Sequence, residues 1–277
     1  MRLLFRSSPA SLAGFPLTFG ITLAAVGLVV LLPLSALVLS ASTQTAGTFW
    51  RTVAAPRVLA ACRLSLTAAL AAAAAASLLG LLVAWVLVRY RFPFRRLFDA
   101  LVDLPFAIPT AVAGITLTTL WAPHGWLGRP LHALGIPVAF TPLGIVVALV
   151  FLGLPFTVRT LQPVLEGLDP EVEDAATSLG ATRVAVFMRV LLPELVPAWL
   201  TGFTLAFARG LGEYGSVVFI SGNMPMKTEV APLLVMTKLE QYDVAGATAI
   251  AVLLLGLSFL LLLLLNRLQA WSAKAAA

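Results

Sequence analysis

From Ser7 to Trp50 the chain runs without a single Asp, Glu, Lys or Arg, and four further stretches share that property. They are Leu64–Val88, Leu104–Gly128, Pro130–Val158 and Val244–Asn266. A sixth segment, Pro197–Ile220, is apolar apart from Arg209 and Glu213. A helix needs about 20 mostly apolar residues to cross a bilayer core about 30 Å thick. Inside that core every backbone polar group must be paired within the protein, so such stretches fold as helices or as strands of a closed barrel. None of the six alternates apolar and polar residues with period two, which argues against a barrel. Composition agrees: 60% of residues are hydrophobic and 11% charged, where soluble domains average about 25% charged. An ordinary soluble domain and a disordered chain are both excluded.

The expected fold is an all-α integral membrane protein with six transmembrane helices and both termini cytoplasmic. The spans fall at about 15–39, 64–88, 104–121, 143–158, 197–220 and 244–266, within one transmembrane domain over 1–277. The first apolar segment exceeds the 7–15 residues of a signal-peptide core, so it is expected to persist as a span. With the N-terminus inside, eleven basic residues lie on the inner side and six on the outer, Arg209 being within a span. That bias follows the positive-inside rule and accounts for the net charge of +6 without nucleic acid as a partner. Membrane lipid is the solvent the composition requires. The single cysteine, Cys62, excludes an intrachain disulfide. His124 and His132 stand in a proline-rich outer loop with no nearby carboxylate or thiol, so no metal site is expected there. The alanine run Ala71–Ala76 reads either as a close-packing helix face or as compositional bias.

No metalloprotease, serine-hydrolase or zinc motif is present. Gly222-Asn223-Met224-Pro225-Met226-Lys227-Thr228 approximates a phosphate-binding loop, but Met226 stands where the second glycine belongs and the spacing is one residue short. The reading is therefore a chain with no catalytic residues, no metal and no cofactor of its own. If it performs active transport, the energy has to come from another subunit.

The inner loop over 159–194 is the most informative stretch. Asp169 can cap a helix, Pro170 suits its first position, and Glu171, Glu173 and Asp174 oppose the positive helix end. Gly180 is a stop, and Thr182 can cap a second short helix over 183–191 that Pro193 limits. The spacing is Asp174-Ala175-Ala176, three residues, Gly180, nine residues, then Val190-Leu191-Leu192-Pro193. It resembles the EAA loop of ABC importer permeases, with Asp174 for the glutamate and Val190 for the isoleucine. In span five, Arg209 lies close to mid-depth. A charge there costs roughly 2.5–3.5 kcal/mol on insertion scales. Glu213 is four residues on, on the same helix face, and can pair with it. Gly210, Gly212 and Gly215 weaken the helix, as in segments that line cavities. The pair reads equally as a pathway or gate element and as a structural lock.

Three further stretches sharpen the resemblance. They are Gly212-Glu213-Tyr214-Gly215-Ser216, Ser221-Gly222-Asn223-Met224-Pro225-Met226-Lys227-Thr228-Glu229, and Asp103-Leu104-Pro105-Phe106-Ala107-Ile108-Pro109-Thr110. Over residues 15–271 the chain is similar to the T-type (also called U-type) permease of bacterial sulfate/thiosulfate ABC importers. The resemblance implies a type I ABC importer permease fold in the bacterial inner membrane. It implies a W-type permease as heterodimer partner and two copies of a cytoplasmic ATPase that carries the ATP and Mg. It implies a periplasmic sulfate- or thiosulfate-binding protein. ATPase coupling would rest on Asp174, Ala175, Ala176, Gly180, Leu192 and Pro193, the pathway or gate on Arg209 and Glu213, and a binding-protein contact on Asn223 and Lys227. A permease for molybdate, tungstate or another oxyanion is the alternative.

Overall fold

A computed structural model describes residues 15–276. Arg2 and Arg6, which the orientation argument uses, lie outside the described residues. Thirteen helices account for the regular structure, and no strand occurs among the described residues. The long ones are α1 (Phe15–Ser42), α3 (Pro56–Arg89), α8 (Pro142–Gly167), α10 (Arg183–Leu211) and α13 (Val244–Ala276). Between them lie α2 (Ala46–Val53), α4 (Arg95–Val102), α5 (Leu104–Ala107), α6 (Thr110–Trp121), α7 (Gly128–Ala133), α9 (Pro170–Ser178), α11 (Val217–Ile220) and α12 (Ala231–Glu240). Among the described residues, five helices are long and apolar enough to cross a bilayer.

The expected span over 104–121 differs. It is divided into α5 and α6, with Ile108 extended at φ −87°, ψ 131°. Pro109 is the cause. Its ring disfavours helical geometry in the residue before it, and it lacks the N–H that would continue the ladder. At 1.5 Å per residue, the 12 residues of α6 reach only about 18 Å. Span five also stops early, at Leu211, with α11 resuming after an irregular stretch. Conversely, α8 continues past Val158 to Gly167, which shortens the inner loop from its start.

The expected second loop helix is not separate. Arg183 to Leu211 forms one element, with a π turn at Phe187–Leu191 where Pro193 was expected to end it. The Leu192 N–H reaches back five residues to the Phe187 carbonyl, just before Pro193 removes a donor. The same arrangement precedes Pro33 in α1, where the Leu32 N–H bonds to the Gly27 carbonyl.

The core is a three-helix unit of α3, α8 and α10. Ala68, Ala69, Ala72 and Ala73 pack on Ile145 and Leu149 of α8 and on Ala206, Phe207 and Leu211 of α10. Toward the other end, Ala84 and Leu87 meet Val158, Leu161, Leu165 and Leu195. The alanine run is thus a packing face: Ala72, Ala73 and Ala76 are all buried. Small side chains let the helix backbones approach, and close contact replaces the hydrophobic drive that lipid does not supply. Helix α12 closes the opposite end of α3, where Ala231 and Leu234 pack on Val58, Ala61 and Ile250. Helix α1 has no buried residue at all.

Candidate functional site

Three regions hold the residues singled out by the sequence. The first is helix α9 with its bend. The Asp169 carboxylate accepts a hydrogen bond from the Glu171 N–H at 2.9 Å, Pro170 occupies the first turn, and Glu171 and Glu173 face the positive helix end. At the other end the Ala181 N–H bonds to Ala176 O at 3.1 Å and the Gly180 N–H to Thr177 O at 2.9 Å. This double closure requires a left-handed residue, and Gly180 supplies it at φ +86°. The Thr182 hydroxyl then accepts from the Ala185 N–H at 3.3 Å and opens α10. The chain therefore passes from one capped helix to the next with almost no slack.

On this frame Asp174, Ala175 and Gly180 are exposed, Ala176 is half-buried, and Leu192 and Pro193 sit where α10 leaves its π turn. Val172 on α9, Leu179 at its C-terminal end, and Val184 and Met188 on α10 are exposed apolar side chains. Glu173, beside the motif, makes the tie to the bundle: its carboxylate stands 2.6 Å from Nη2 of Arg89, the last residue of α3. The Arg89 guanidinium lies over the Trp85 ring, 5.2 Å from its centroid, and Trp85 meets Phe187 edge-on at 5.3 Å. One line of contacts thus joins α9, α3 and the π turn of α10.

The second region is the break after α10. Arg209 and Glu213 form an ion pair, and Glu213 also accepts from the Ser216 N–H at 2.9 Å and the Ser216 hydroxyl at 3.0 Å. Glu213 is 3% exposed, whereas Arg209 keeps 36% of its side chain accessible. Helix α6 crosses this break with backbone against backbone. A Cβ on Gly114 would lie 2.5 Å from Ser216 O, and one on Gly215 would lie 2.2 Å from Thr110 Oγ1. Two interrupted helices, one broken at Pro109 and one after Leu211, therefore abut where the buried Glu213 carboxylate is held. Irregular backbone at membrane depth is tolerated where it is buried in protein or lines a cavity.

The third region is the turn after α11. Asn223 is half-buried and Lys227 exposed, and the turn closes on Met224 O, which accepts from the N–H groups of Lys227, Thr228 and Glu229. The turn is anchored by Glu229, buried and held by Arg57 through two hydrogen bonds of 2.7 and 2.6 Å. Asn223 and Lys227 belong to this turn after α11, not to the break after α10 that holds Arg209 and Glu213.

Sequence reasoning missed a fourth cluster. Arg159, placed in the inner loop by hydropathy, lies within α8 and binds both Asp103 oxygens at 2.7 and 2.6 Å and Asp99 at 2.7 Å. Hydrogen bonds from Gln162 and Arg159 hold the Asp99 carboxyl below the usual carboxylate range. These partners are 56 and 60 residues away in sequence, and no local signal links them. Among the described residues no group of His, Cys, Asp and Glu is arranged to hold a metal ion.

Residues 76–276 match the family model described as "Binding-protein-dependent transport system inner membrane component". The chain is 50% identical over 263 residues to the sulfate transport system permease protein CysT of Salmonella typhimurium, covering 95% of each chain. It is 49% identical to the protein of the same name from Escherichia coli K12, again over 95% of each. Among solved structures it resembles a chain of the bacterial alginate ABC transporter in complex with an alginate pentasaccharide-bound periplasmic protein. The TM-score there is 0.71 and the identity 18%, covering 91% of this chain and 93% of that one. At that identity the likeness concerns the fold.

Proposed function

The chain belongs to the family of binding-protein-dependent transport system inner membrane components, and from that premise we propose that it is a membrane-spanning subunit of an ATP-driven sulfate/thiosulfate importer. The observation that carries the substrate is identity of about half over 95% of the chain to two proteins named as sulfate permeases. In this reading α6, despite its short reach, completes a six-span bundle with both termini inside, in a bacterial inner membrane. A second permease of the W type supplies the other half of the pathway. Two ATPase subunits bind beneath, and a periplasmic binding protein delivers the anion above.

Work enters through α9. ATP hydrolysis on another subunit can bias this bundle only through a contact that differs between its two states. Asp174, Ala175 and Ala176 present that contact, Gly180 fixes the angle of the bend, and Leu192-Pro193 passes movement into α10. The capping bonds at both ends of the bend support this role, since they leave no loose chain to absorb a displacement. Arg209 and Glu213 act at the break as the gate. The support here is their position between two interrupted helices, with the carboxylate held by Ser216 and the guanidinium still accessible. Asn223 and Lys227 face the binding protein.

The test is uptake of radiolabelled sulfate into proteoliposomes holding this chain, its partner permease, the ATPase and the binding protein, omitting one component at a time. ATP-dependent uptake that needs every component is expected. Uptake without the ATPase refutes the importer, and uptake of molybdate in place of sulfate refutes the substrate. The gate is tested separately with Arg209→Met and Glu213→Gln in assembled complexes: normal transport by both single variants refutes it.

A further inference from the structure

Helix α6 forms one side of the break that holds Glu213, yet little of it is packed. Of its 12 residues only Ala113 and Gly114 are buried. Its near end is joined to α5 through extended Ile108 and Pro109, so whatever fixes α5 fixes that end of α6. Helix α5 is attached to α8 at two points. Phe106 meets Phe156 edge-on, with ring centroids 5.1 Å apart. Asp103, at the joint between α4 and α5, meets Arg159. Asp103 and Phe106 are three residues apart, as are Phe156 and Arg159, so each pair shares one helix face.

Arg159 is saturated. A guanidinium carries five N–H donors in a fixed fork, and each of them has its own acceptor here. Nε donates to Asp103 Oδ1 at 2.7 Å, and Nη2 donates to Asp103 Oδ2 at 2.6 Å and to the Asp99 carbonyl at 2.8 Å. Nη1 donates to Asp99 Oδ1 at 2.7 Å and to Gln162 Oε1 at 2.5 Å. Gln162 in turn donates to Asp99 Oδ1 at 3.0 Å. Four of the five acceptors belong to Asp99 and Asp103, so one side chain of α8 holds the joint between α4 and α5 in a fixed orientation. Charge-assisted, two-pronged bonds of this kind set geometry as well as energy. A lysine, with three donors on a point charge, cannot reproduce the fork.

The far side of α6 touches the break backbone to backbone, at Gly114 against Ser216, and Gly215 of the break is equally close to Thr110. Two segments in contact that close move together unless one is held. A displacement of α10 would carry an unheld α6 with it, and the opening between them would not change. We propose that Arg159 is a positioning residue for transport, which holds α5 and α6 to α8 as the stationary side of the gate while α10 moves at its break. The proposal rests on the importer reading and its gate, and adds the residue that keeps one side of that gate still.

The test uses the assembled complex in proteoliposomes, with ATP hydrolysis and uptake of radiolabelled sulfate measured together. Hydrogen exchange over residues 110–121 is measured on the same complexes. Uptake by the native complex tests the importer reading by itself, and the comparison of variants with the native complex tests the hold. Arg159→Lys keeps the charge and loses the fork. Asp103→Asn weakens the α5 joint while Asp99 and Gln162 keep Arg159 in place. In both, exchange over α6 is expected to rise about tenfold, the lower end for a hydrogen bond to a charged group because these side chains are partly exposed. Hydrolysis stimulated by the binding protein is expected to continue, and sulfate moved per ATP to fall in proportion to the α6 exchange. Asp99→Asn, which leaves Asp103 bound, is expected to lose less. A purely structural tie would lower hydrolysis and uptake in step, and that result overturns the proposal. So does a native yield of sulfate per ATP in a variant whose α6 exchange has risen. Unchanged α6 exchange in both variants overturns it as well. If Arg159→Lys does not assemble, Asp103→Asn decides by the same readings.

Discussion

Breaking the tie between Glu173 and Arg89 should loosen α9 without unfolding the bundle, and the structure sets the size of the effect. Each side chain is 24% exposed, so the pair lies between a surface contact and a buried one. Exposed pairs contribute up to about 1 kcal/mol, and the partial burial of both side chains favours the upper end. Arg89 also lies over Trp85 at 5.2 Å, a contact worth about 0.5–1 kcal/mol when partly exposed. Glu173→Gln therefore removes about 1 kcal/mol of docking free energy and Arg89→Ala about 2 kcal/mol. Converted through RT, these become roughly fivefold and thirtyfold increases in opening. Hydrogen exchange by mass spectrometry over residues 170–180 reads that opening directly, while amides of α3 and α8 report on the core. Exchange over α9 should rise by those factors in the two variants, and core amides should not change. High salt should erase most of the Glu173 contribution and little of the Trp85 one. Equal exchange in Arg89→Ala and the native protein would refute the reasoning, and so would a loss of protection spread through the core.

Gly114→Ala sets a Cβ against the Ser216 backbone, which cannot swing aside. A loss of about 1–3 kcal/mol, typical of overpacking, should lower the unfolding temperature in detergent. Gly256→Ala, with nothing within 4 Å of its added carbon, should not. Arg57→Met strands Glu229, whose side chain is 1% exposed. A broken buried pair costs about 3–5 kcal/mol, and the lower end applies because Arg57 is partly exposed. Glu229→Gln in the same background should recover part of that loss in the same assay. Asp243 receives hydrogen bonds from Lys238 at 2.8 Å and from the Gly246 N–H at 2.8 Å. Those bonds hold its carboxyl below the usual range. Its stabilising contribution is therefore complete above the unfolded value of about 3.9 and lost as pH falls through the depressed folded value. Protection of the first turn of α13 should fall at acid pH in the native protein, and Asp243→Asn should flatten that dependence.

The sequence exposes what is local and hides what is distant. The caps at Asp169 and Thr182 and the left-handed stop at Gly180 are one-residue signals, and all three take the expected form. The pairing of Arg209 with Glu213 follows from a four-residue spacing on one helix face. Hydropathy marks the long helices but counts only side chains, so it reads 104–121 as continuous across a backbone break at Pro109. The prolines of Leu104-Pro105-Phe106-Ala107-Ile108-Pro109 were the available warning. Pro193 misled in the other direction. A π turn moves the hydrogen-bond ladder by one residue and lets the helix continue past it. The ties of Arg159 to Asp99 and Asp103, of Arg57 to Glu229 and of Arg89 to Glu173 depend on how helices stack, and no window of sequence contains both partners.

That π turn has a consequence for anyone who alters the length of the inner connector. It holds one more residue than a regular turn, so the surface carrying α9 and the membrane half of α10 are set at a fixed phase. Successive residues of an α-helix advance by about 100°. Deleting a single residue between Val186 and Leu192 would swing the inner surface by about that angle around α10, with little change in height. Length changes at this point act as rotations. A connector one residue shorter would present α9 to the side.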